Sequence, residues 1–317
     1  MGGEAADRVG PVYCMTRAMA PAVHPWRGVV LGSLGVLTFS LTLPATRVAV
    51  GELPPAAVGF GRVVAPALFG ILYLWARGSP LPRGRTWSRL TIVASGIGIG
   101  FPLFSALALR RVPASHGAVV VGFNPIATAV AATLLGNERP SWRFWALSCA
   151  GLAAVVLYAW TQGAADLHVG DAYLLLAVGS VAVSYAEGAY LTREMPGFEV
   201  LCWALIIALP VAAPLAALSW YGAHVTPSPR VWGAFAYVSL VSQFLGLWVW
   251  YIGLAYGGVA RIGQLQLAQP LLTLIWSGWL LAERISWPTV AAATVVMACG
   301  IAMLRSRVAD RPTRGRS

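Results

Sequence analysis

The sequence contains no lysine, few acidic residues and few cysteines. All 22 basic residues are arginine, and with 11 acidic residues the formal net charge is +11. Charged residues make up only 10% of the chain, which is too little for the solvated surface of a soluble protein. The four cysteines are too scattered for a disulfide framework, and no metal-ligand spacing occurs. We therefore expect no metal and no other cofactor.

Hydrophobic residues make up 58% of the chain, and long apolar runs recur along all of it. A soluble fold could not bury so much apolar surface, so the runs predict membrane-spanning helices of about twenty residues. Polar breaks divide the chain into ten predicted spans, at 28–47, 55–76, 89–109, 113–136, 143–161, 171–192, 198–220, 232–255, 259–282 and 287–305. Several connections are so short that the helices they join must be antiparallel.

The arginines predict how the spans are oriented. If the N-terminus is cytoplasmic, sixteen arginines fall on the cytoplasmic side, five fall outside, and Arg62 lies within a span. Arginine is enriched in cytoplasmic loops, so we expect a multi-pass protein of the plasma membrane with both termini in the cytoplasm. The arginines are not gathered into a basic domain. We therefore expect the lipid bilayer, and not nucleic acid, as the partner of this charge.

One stretch of the sequence is repeated. Residues 124–142 align without a gap to residues 269–287, and the two copies are identical at Pro125/Pro270, Thr128/Thr273, Leu135/Leu280, Glu138/Glu283, Arg139/Arg284, Ser141/Ser286 and Trp142/Trp287. Repeats of this kind determine the whole architecture. The repeat predicts two five-helix units, at 28–161 and 171–305, between cytoplasmic tails at 1–27 and 306–317.

An odd number of spans in each unit has a geometric consequence. The second unit must enter the membrane in the opposite sense to the first, as in many secondary transporters. We therefore predict an all-α membrane protein with ten transmembrane helices, arranged as two inverted five-helix repeats around a central cavity.

Two amide side chains lie at matching depths in the predicted membrane. Asn124 lies ~16 Å into span four and Gln269 ~15 Å into span nine, near the centre of a core that is ~30 Å thick. Each precedes a proline, Pro125 or Pro270, which removes one helical hydrogen bond. An amide beside an interrupted helix, at equivalent positions in both halves, indicates a transport site. The alternative is that the prolines only kink the helices and the amides hold neighbouring helices together.

Further candidates surround these amides. Gln266 shares a helix face with Gln269, and Gln243 lies near mid-depth in span eight. Trp250 and Tyr251 follow on span eight, so we predict a substrate site with amides and aromatic walls, suited to organic molecules. Packing or lipid-facing roles for the aromatic side chains remain an alternative.

Charged residues inside spans are candidates because their burial is costly. Arg62 in span two is predicted to attract an anionic substrate group or to hold a polar network. Glu187 in span six is a candidate for proton coupling, although so close to the interface it could also reach solvent or be neutral. The two differ too much in depth for a direct ion pair. His116 lies near the end of a span and is expected to be solvated.

The chain resembles the EamA family of the drug/metabolite transporter superfamily. The resemblance rests on Arg62, on Val112-Pro113-Ala114 leading to Pro125 and 134–139, and on the run from Gln269-Pro270 to Arg284. It covers nearly the whole chain. It implies a ten-helix bundle with a central cavity lined by spans one to four and six to nine, and spans five and ten at the periphery. It also implies movement, usually export, of small metabolites, amino acids or drugs.

The most visible identities of the repeat, Glu138-Arg139 and Glu283-Arg284, fall at helix ends on opposite faces of the predicted bundle. We predict a structural role for them, in ending the helix and fixing the hairpin to the next span, where Ser141 and Ser286 are N-cap candidates.

The leading hypothesis is a secondary transporter of small molecules that works by alternating access. No nucleotide-binding signature occurs, so ATP is not expected to drive it directly. A membrane scaffold or sensor is the second hypothesis. An intramembrane enzyme is less well supported because no clustered nucleophile, base or metal ligands fall within the spans. Whether the protein forms a homodimer is left open by the sequence.

Overall fold

The computed structural model describes residues 25–136, 141–161, 169–192, 194–221, 225–257 and 262–309, and every regular element in these ranges is helical. The α-helices of the first half are α1 (Pro25–Ser40), α2 (Thr42–Glu52), α3 (Pro55–Arg77), α4 (Arg85–Val93), α5 (Phe101–Leu109), α6 (Ala114–Val121), α7 (Asn124–Gly136) and α8 (Trp142–Thr161). Those of the second half are α9 (Val169–Leu191), α10 (Gly197–Tyr221), α11 (Pro229–Ala236), α12 (Leu247–Gly257), α13 (Gln269–Leu281) and α14 (Trp287–Ala309).

Many of these helices are continuous with one another and form longer apolar segments. Seven are long and apolar enough to cross a membrane, at Trp26–Glu52, Pro55–Arg77, Arg85–Leu109, Ala114–Leu135, Val169–Leu191, Gly197–Tyr221 and Pro229–Leu254. Three shorter apolar helices cover Trp142–Tyr158, Leu265–Leu281 and Trp287–Met303. All ten lie within or close to the predicted spans.

The outer surface of the bundle is apolar. Trp75, Trp142, Trp279 and Trp287 are 80%, 75%, 74% and 84% exposed, and leucine, valine and isoleucine side chains lie between them. In water such a surface would drive aggregation, whereas hydrocarbon solvates it. Together with the apolar helices, this surface identifies a multi-pass membrane protein.

The two halves pack against each other along most of their length. Helix α3 lies along α10, α1 lies along α12, and α8 lies along α14. Helix α9 packs against α5 and α7 of the first half. The buried core of the described residues is therefore shared by the two halves.

Three segments depart from α-helical geometry near the centre of the bundle. Ala94–Gly100 and Tyr237–Gly246 are π-helical, and Gln264–Ala268 is a 3-10 helix. A shift of 145 residues places 94–100 on 239–245, so the two π segments occupy equivalent positions in the two copies of the repeat. Such segments leave backbone groups outside the regular helical pattern and occur frequently at functional sites.

The first π segment crosses α9 at very close range. A Cβ atom built on Gly96 would overlap the Ser184 hydroxyl and the Ser180 carbonyl oxygen of α9. Only a residue without a side chain allows this approach. On the same α9 helix, a Cβ on Gly188 would meet no atom within 4 Å.

We predict that Gly96→Ala destabilises the protein by about 1–3 kcal/mol because the new methyl group forces the two helices apart. The matched substitution Gly188→Ala has open space and is expected to be neutral or slightly stabilising, since alanine favours helix. The measurement is thermal unfolding of the purified protein in detergent. Equal Tm values for the two variants would contradict the close crossing.

Candidate functional site

A central cavity lies between the two halves. Its volume is about 70 Å³, and its walls come from the first, second, third, fourth, sixth, eighth and ninth predicted spans. Its polar lining consists of Thr42, Arg62, Asn124, Tyr185, Ser242, Gln243, Gln266, Gln269 and Thr273. This volume suffices for a few water molecules, whereas sites for organic ligands measure ~300–1,000 Å³. The cavity therefore has to widen before it can hold a metabolite.

Arg62 is the only charged side chain among the described residues that line this cavity. It is 1% exposed, and its Nη2 donates to Oε1 of Gln243 at 2.9 Å. The Gln243 amide Nε2 in turn donates to the carbonyl oxygen of Ile97 at 3.2 Å, and Ser239 donates to the Arg62 carbonyl oxygen at 3.1 Å. Helix α3 and the two π segments are therefore joined by one buried polar network.

The guanidinium of Arg62 has spare hydrogen-bond donors. Its Nε and Nη1 are buried and have no hydrogen-bond partner among the described residues. Within these residues Arg62 is in neither of the two ion pairs, which join Arg89 to Glu187 and His116 to Asp171. A buried cation in this condition is costly, and an anion in the cavity would relieve that cost.

Each of the paired amides lies where a helix is interrupted. Helix α6 ends at Val121, and α7 begins at Asn124. In the second half the 3-10 helix ends at Ala268, and α13 begins at Gln269. Both Asn124-Pro125 and Gln269-Pro270 line the cavity. Asn124 Oδ1 is buried without a partner among the described residues, so the cavity also has a free hydrogen-bond acceptor.

Five of the predicted substrate-binding residues are thus brought together, namely Arg62, Asn124, Gln243, Gln266 and Gln269.

Trp250 and Tyr251 are not among the residues that line the cavity. The Trp250 ring packs edge-on against Phe39, with 6.0 Å between ring centroids, and covers Gly35. The Tyr251 ring lies against Gly197. In this conformation both contribute to helix packing.

Glu187 lies outside the cavity as well. Its Oε2 is 3.8 Å from Nε of Arg89, and Arg89 also lies over the ring of Tyr190 at 5.3 Å. Arg62 and Glu187 therefore have different partners, in agreement with their predicted difference in depth.

The cavity also contains residues that were not among the predicted site residues. The hydroxyls of Thr42 and Ser242 are 2.6 Å apart and join the first half to the second. Thr273 donates to the Ser40 carbonyl oxygen at 2.8 Å. Thr273 had a signal, because it is one of the identities of the repeat. Thr42 and Tyr185 had none, because only the rotation of their helices directs them inward.

Glu283 makes a contact between the halves. It follows α13, whose C-cap residue Ala282 has left-handed backbone geometry with φ of 54°. Its carboxylate accepts hydrogen bonds from the backbone N–H groups of Ala114 at 2.9 Å and Ser115 at 2.8 Å. These are free N–H groups of the first turn of α6, where negative charge is stabilising. Glu283 of the second half therefore caps a helix of the first.

The other helix-end residues are placed as follows. Glu138 and Arg139 lie outside the described residues. Arg284 is exposed. Ser286 precedes α14, and its Oγ accepts a long hydrogen bond from the Thr289 N–H at 3.4 Å.

The prediction that His116 is solvated is wrong. His116 is 6% exposed, and its Nε2 lies 2.5 Å from Oδ1 of Asp171, which is 2% exposed. The imidazole also packs against the ring of Tyr158, with 5.1 Å between centroids. Helices α6 and α9 come from different halves, so this buried pair is a further polar contact between the halves, next to the contact that Glu283 makes with Ser115. The position of His116 near the end of a span does not indicate this burial, because neighbouring helices cause it.

A second, larger cavity of about 420 Å³ lies between α7, α8 and α9. The described part of its lining is almost wholly apolar, with Ser148 and Cys149 as the polar members. Leu134 and Leu135 at its edge are 69% and 48% exposed, so it belongs to the lipid-facing surface. Within the described ranges no three His, Cys, Asp or Glu side chains lie close enough to share a metal ion.

The chain is similar to known proteins over most of its length. The sequence model of the EamA-like transporter family matches residues 26–160 and again residues 168–306. The chain is 41% identical to the uncharacterized transporter YdeK of Bacillus subtilis (strain 168) over 283 residues, which cover 88% of this chain and 97% of that protein. It is 22% identical to an uncharacterized transporter of Archaeoglobus fulgidus over 273 residues, with coverage of 85% and 94%. A solved structure described only as "Crystal structure of protein" has the same fold, with a TM-score of 0.59 and 22% identity over 88% of this chain and 98% of that one.

We predict that Glu283→Gln lowers the stability of the protein by about 1–2 kcal/mol. The substitution removes the charge that complements the N-terminus of α6 and leaves one backbone N–H facing an amide donor. Arg284→Gln is the matched control, because it changes an exposed neighbouring charge. Thermal unfolding in detergent measures both, and a loss as large for Arg284→Gln would show that the contact with α6 is not the cause.

Proposed function

This chain belongs to the EamA-like transporter family, and from that premise we propose that it is a secondary transporter that moves small organic molecules across the plasma membrane by alternating access. The observation that carries the proposal is the central cavity, where helices of both halves are interrupted beside a polar amide. Substrate sites of inverted-repeat transporters lie at such interruptions, near the middle of the membrane.

We propose that the three shorter apolar helices also cross the membrane, which makes ten spans in two inverted five-helix repeats, 28–161 and 171–305. The contacts at helix ends support this arrangement. The start of α6 meets the start of α9 through His116 and Asp171. The start of α4 meets the end of α9 through Arg89 and Glu187. If successive spans cross the membrane in alternating directions and both termini are cytoplasmic, the His116–Asp171 pair lies at the outer end of the bundle. The Arg89–Glu187 pair then lies at the inner end.

The outer end is held together by contacts between the halves. In addition to the His116–Asp171 pair and the Glu283 cap, Glu52 accepts from the Ser228 backbone N–H at 2.6 Å and the Ser228 hydroxyl at 2.8 Å. The Tyr158 and Thr289 hydroxyls are 3.1 Å apart. These contacts support a conformation that is closed towards the outside, and outward opening would require them to separate.

Export is the proposed direction, driven by a solute or proton gradient. Glu187 is the proposed coupling acid, since it is buried and its Oε2 accepts no hydrogen bond from the described residues. A scaffold or sensor, the alternative function, would not need a polar cavity at the meeting point of both halves.

We predict that the double substitution of Asn124→Ala and Gln269→Ala lowers transport by about 5- to 150-fold. Each amide can provide a hydrogen bond of about 0.5–1.5 kcal/mol to a bound solute. The assay is saturable uptake of radiolabelled organic acids and amino acids into liposomes that contain the purified protein.

The control for this experiment is Thr91→Ala with Thr294→Ala. Both hydroxyls are exposed and bond only to carbonyl groups of their own helices. Unchanged flux in the Asn124/Gln269 variant would refute a site at the interrupted helices.

A further inference from the structure

The central cavity has a net charge of its own. Among the described residues that line it, Arg62 contributes the single positive charge and none is acidic. The guanidinium has five N–H donors, of which the one on Nε and the two on Nη1 have no partner among the described residues. These donors are held in place, because Arg62 is 1% exposed and fixed through Nη2 to Gln243.

Arginine offers a planar set of donors that matches the two oxygens of a carboxylate. A bound carboxylate would bring the net charge of the cavity to zero. A dianion would leave one negative charge buried, and a cation would add to the positive charge already present. Charge matching therefore favours a monoanion.

Net charge also distinguishes two classes of carboxylate. An amino acid carries an ammonium group besides its carboxylate, so its binding leaves the net charge of the cavity at one positive unit. A hydroxy acid carries a neutral hydroxyl at the same position. The unpartnered Oδ1 of Asn124 can accept a hydrogen bond from that hydroxyl without burying a second cation.

The remaining walls are apolar or aromatic. Phe39, Phe101 and Tyr185 present rings to the cavity, with Leu43 and Val181 beside them. Such walls suit a short hydrocarbon or aromatic body and offer nothing to a strongly hydrated one.

We propose that the substrates are small monocarboxylate anions with an apolar body and a neutral hydrogen-bond donor, of which 2-hydroxy acids are the simplest form. Arg62 binds the carboxylate, and Asn124 accepts from the hydroxyl. This substrate class rests on the proposed transport function and on the charge of the cavity, and it differs from zwitterionic amino acids.

The test compares two pairs of solutes that differ in one group. Lactate is matched with alanine, and 3-phenyllactate with phenylalanine, at neutral pH. Phenethylamine serves as the cation. Uptake into liposomes containing the full-length protein is measured for each solute, and binding of 3-phenyllactate to the purified protein is measured by calorimetry. We expect the hydroxy acid of each pair to be taken up at least tenfold faster than the amino acid, and no uptake of the amine.

Variants connect this preference to Arg62. Arg62→Gln is expected to weaken 3-phenyllactate binding at least tenfold, and Arg62→Lys, which keeps the charge but loses the planar donors, to weaken it less. Arg230→Gln removes an exposed charge that bonds only to the Leu280 carbonyl oxygen and is expected to bind normally. Retained folding is checked by thermal unfolding, and Arg62→Lys keeps the test valid if Arg62→Gln does not fold.

The outcomes separate the two proposals. Uptake of alanine, phenylalanine or phenethylamine at least as fast as uptake of the hydroxy acids overturns the substrate class but leaves a transporter. Undiminished 3-phenyllactate binding by folded Arg62→Gln or Arg62→Lys overturns the role of Arg62. No saturable uptake of any solute overturns the transport function, and the substrate class with it.

Discussion

In hydrocarbon every backbone N–H and C=O group needs a partner within the protein, and this constraint decides where the chain can leave α-helical geometry. The π segments 94–100 and 237–246 and the interruptions at Asn124 and Gln269 all lie where helices of both halves surround them. Gln243 illustrates the result, because it bonds a carbonyl group of one π segment from within the other. Backbone that departs from α-helical geometry is confined to the interior, where polar side chains supply its partners. The cavity is polar for this reason.

The helices pack with a two-fold pattern. Adding 145 to the residue numbers of α1 gives positions within α9, and subtracting 145 from those of α12 gives positions that overlap α5. The contact of α1 with α12 is therefore the equivalent of the contact of α9 with α5. The charge of the cavity does not share this pattern. The positions equivalent to Arg62 and Gln243 are Ile207 and Gly98. The helical scaffold is therefore repeated, whereas Arg62 and the Gln243 amide that holds it each occur once. The positive charge consequently lies on one side of the cavity.

Features of the fold that depend on local or periodic patterns can be predicted from the sequence. Apolar runs located the helices, and an amide followed by proline marked the two interruptions, since both depend only on neighbouring residues. Features that depend on how distant helices pack together cannot be predicted in this way. Trp250 packs edge-on against Phe39 and is not among the described residues that line the cavity. His116 is buried because α9 covers it. The partner of Glu283 is a helix 169 residues away in sequence, and no periodicity reveals such a contact.

The burial of Arg62 links solute binding to closure of the cavity, if its role is the one proposed. In the closed cavity the guanidinium has Gln243 as its partner and no counterion among the described residues. With an anion inside, closure removes water from a neutral pair and strengthens its attraction, because the effective dielectric falls. A ligand shifts a conformational equilibrium only by its differential affinity for the two states. The uncompensated charge of Arg62 supplies that difference, so the residue that selects the solute also makes closure depend on the solute being present.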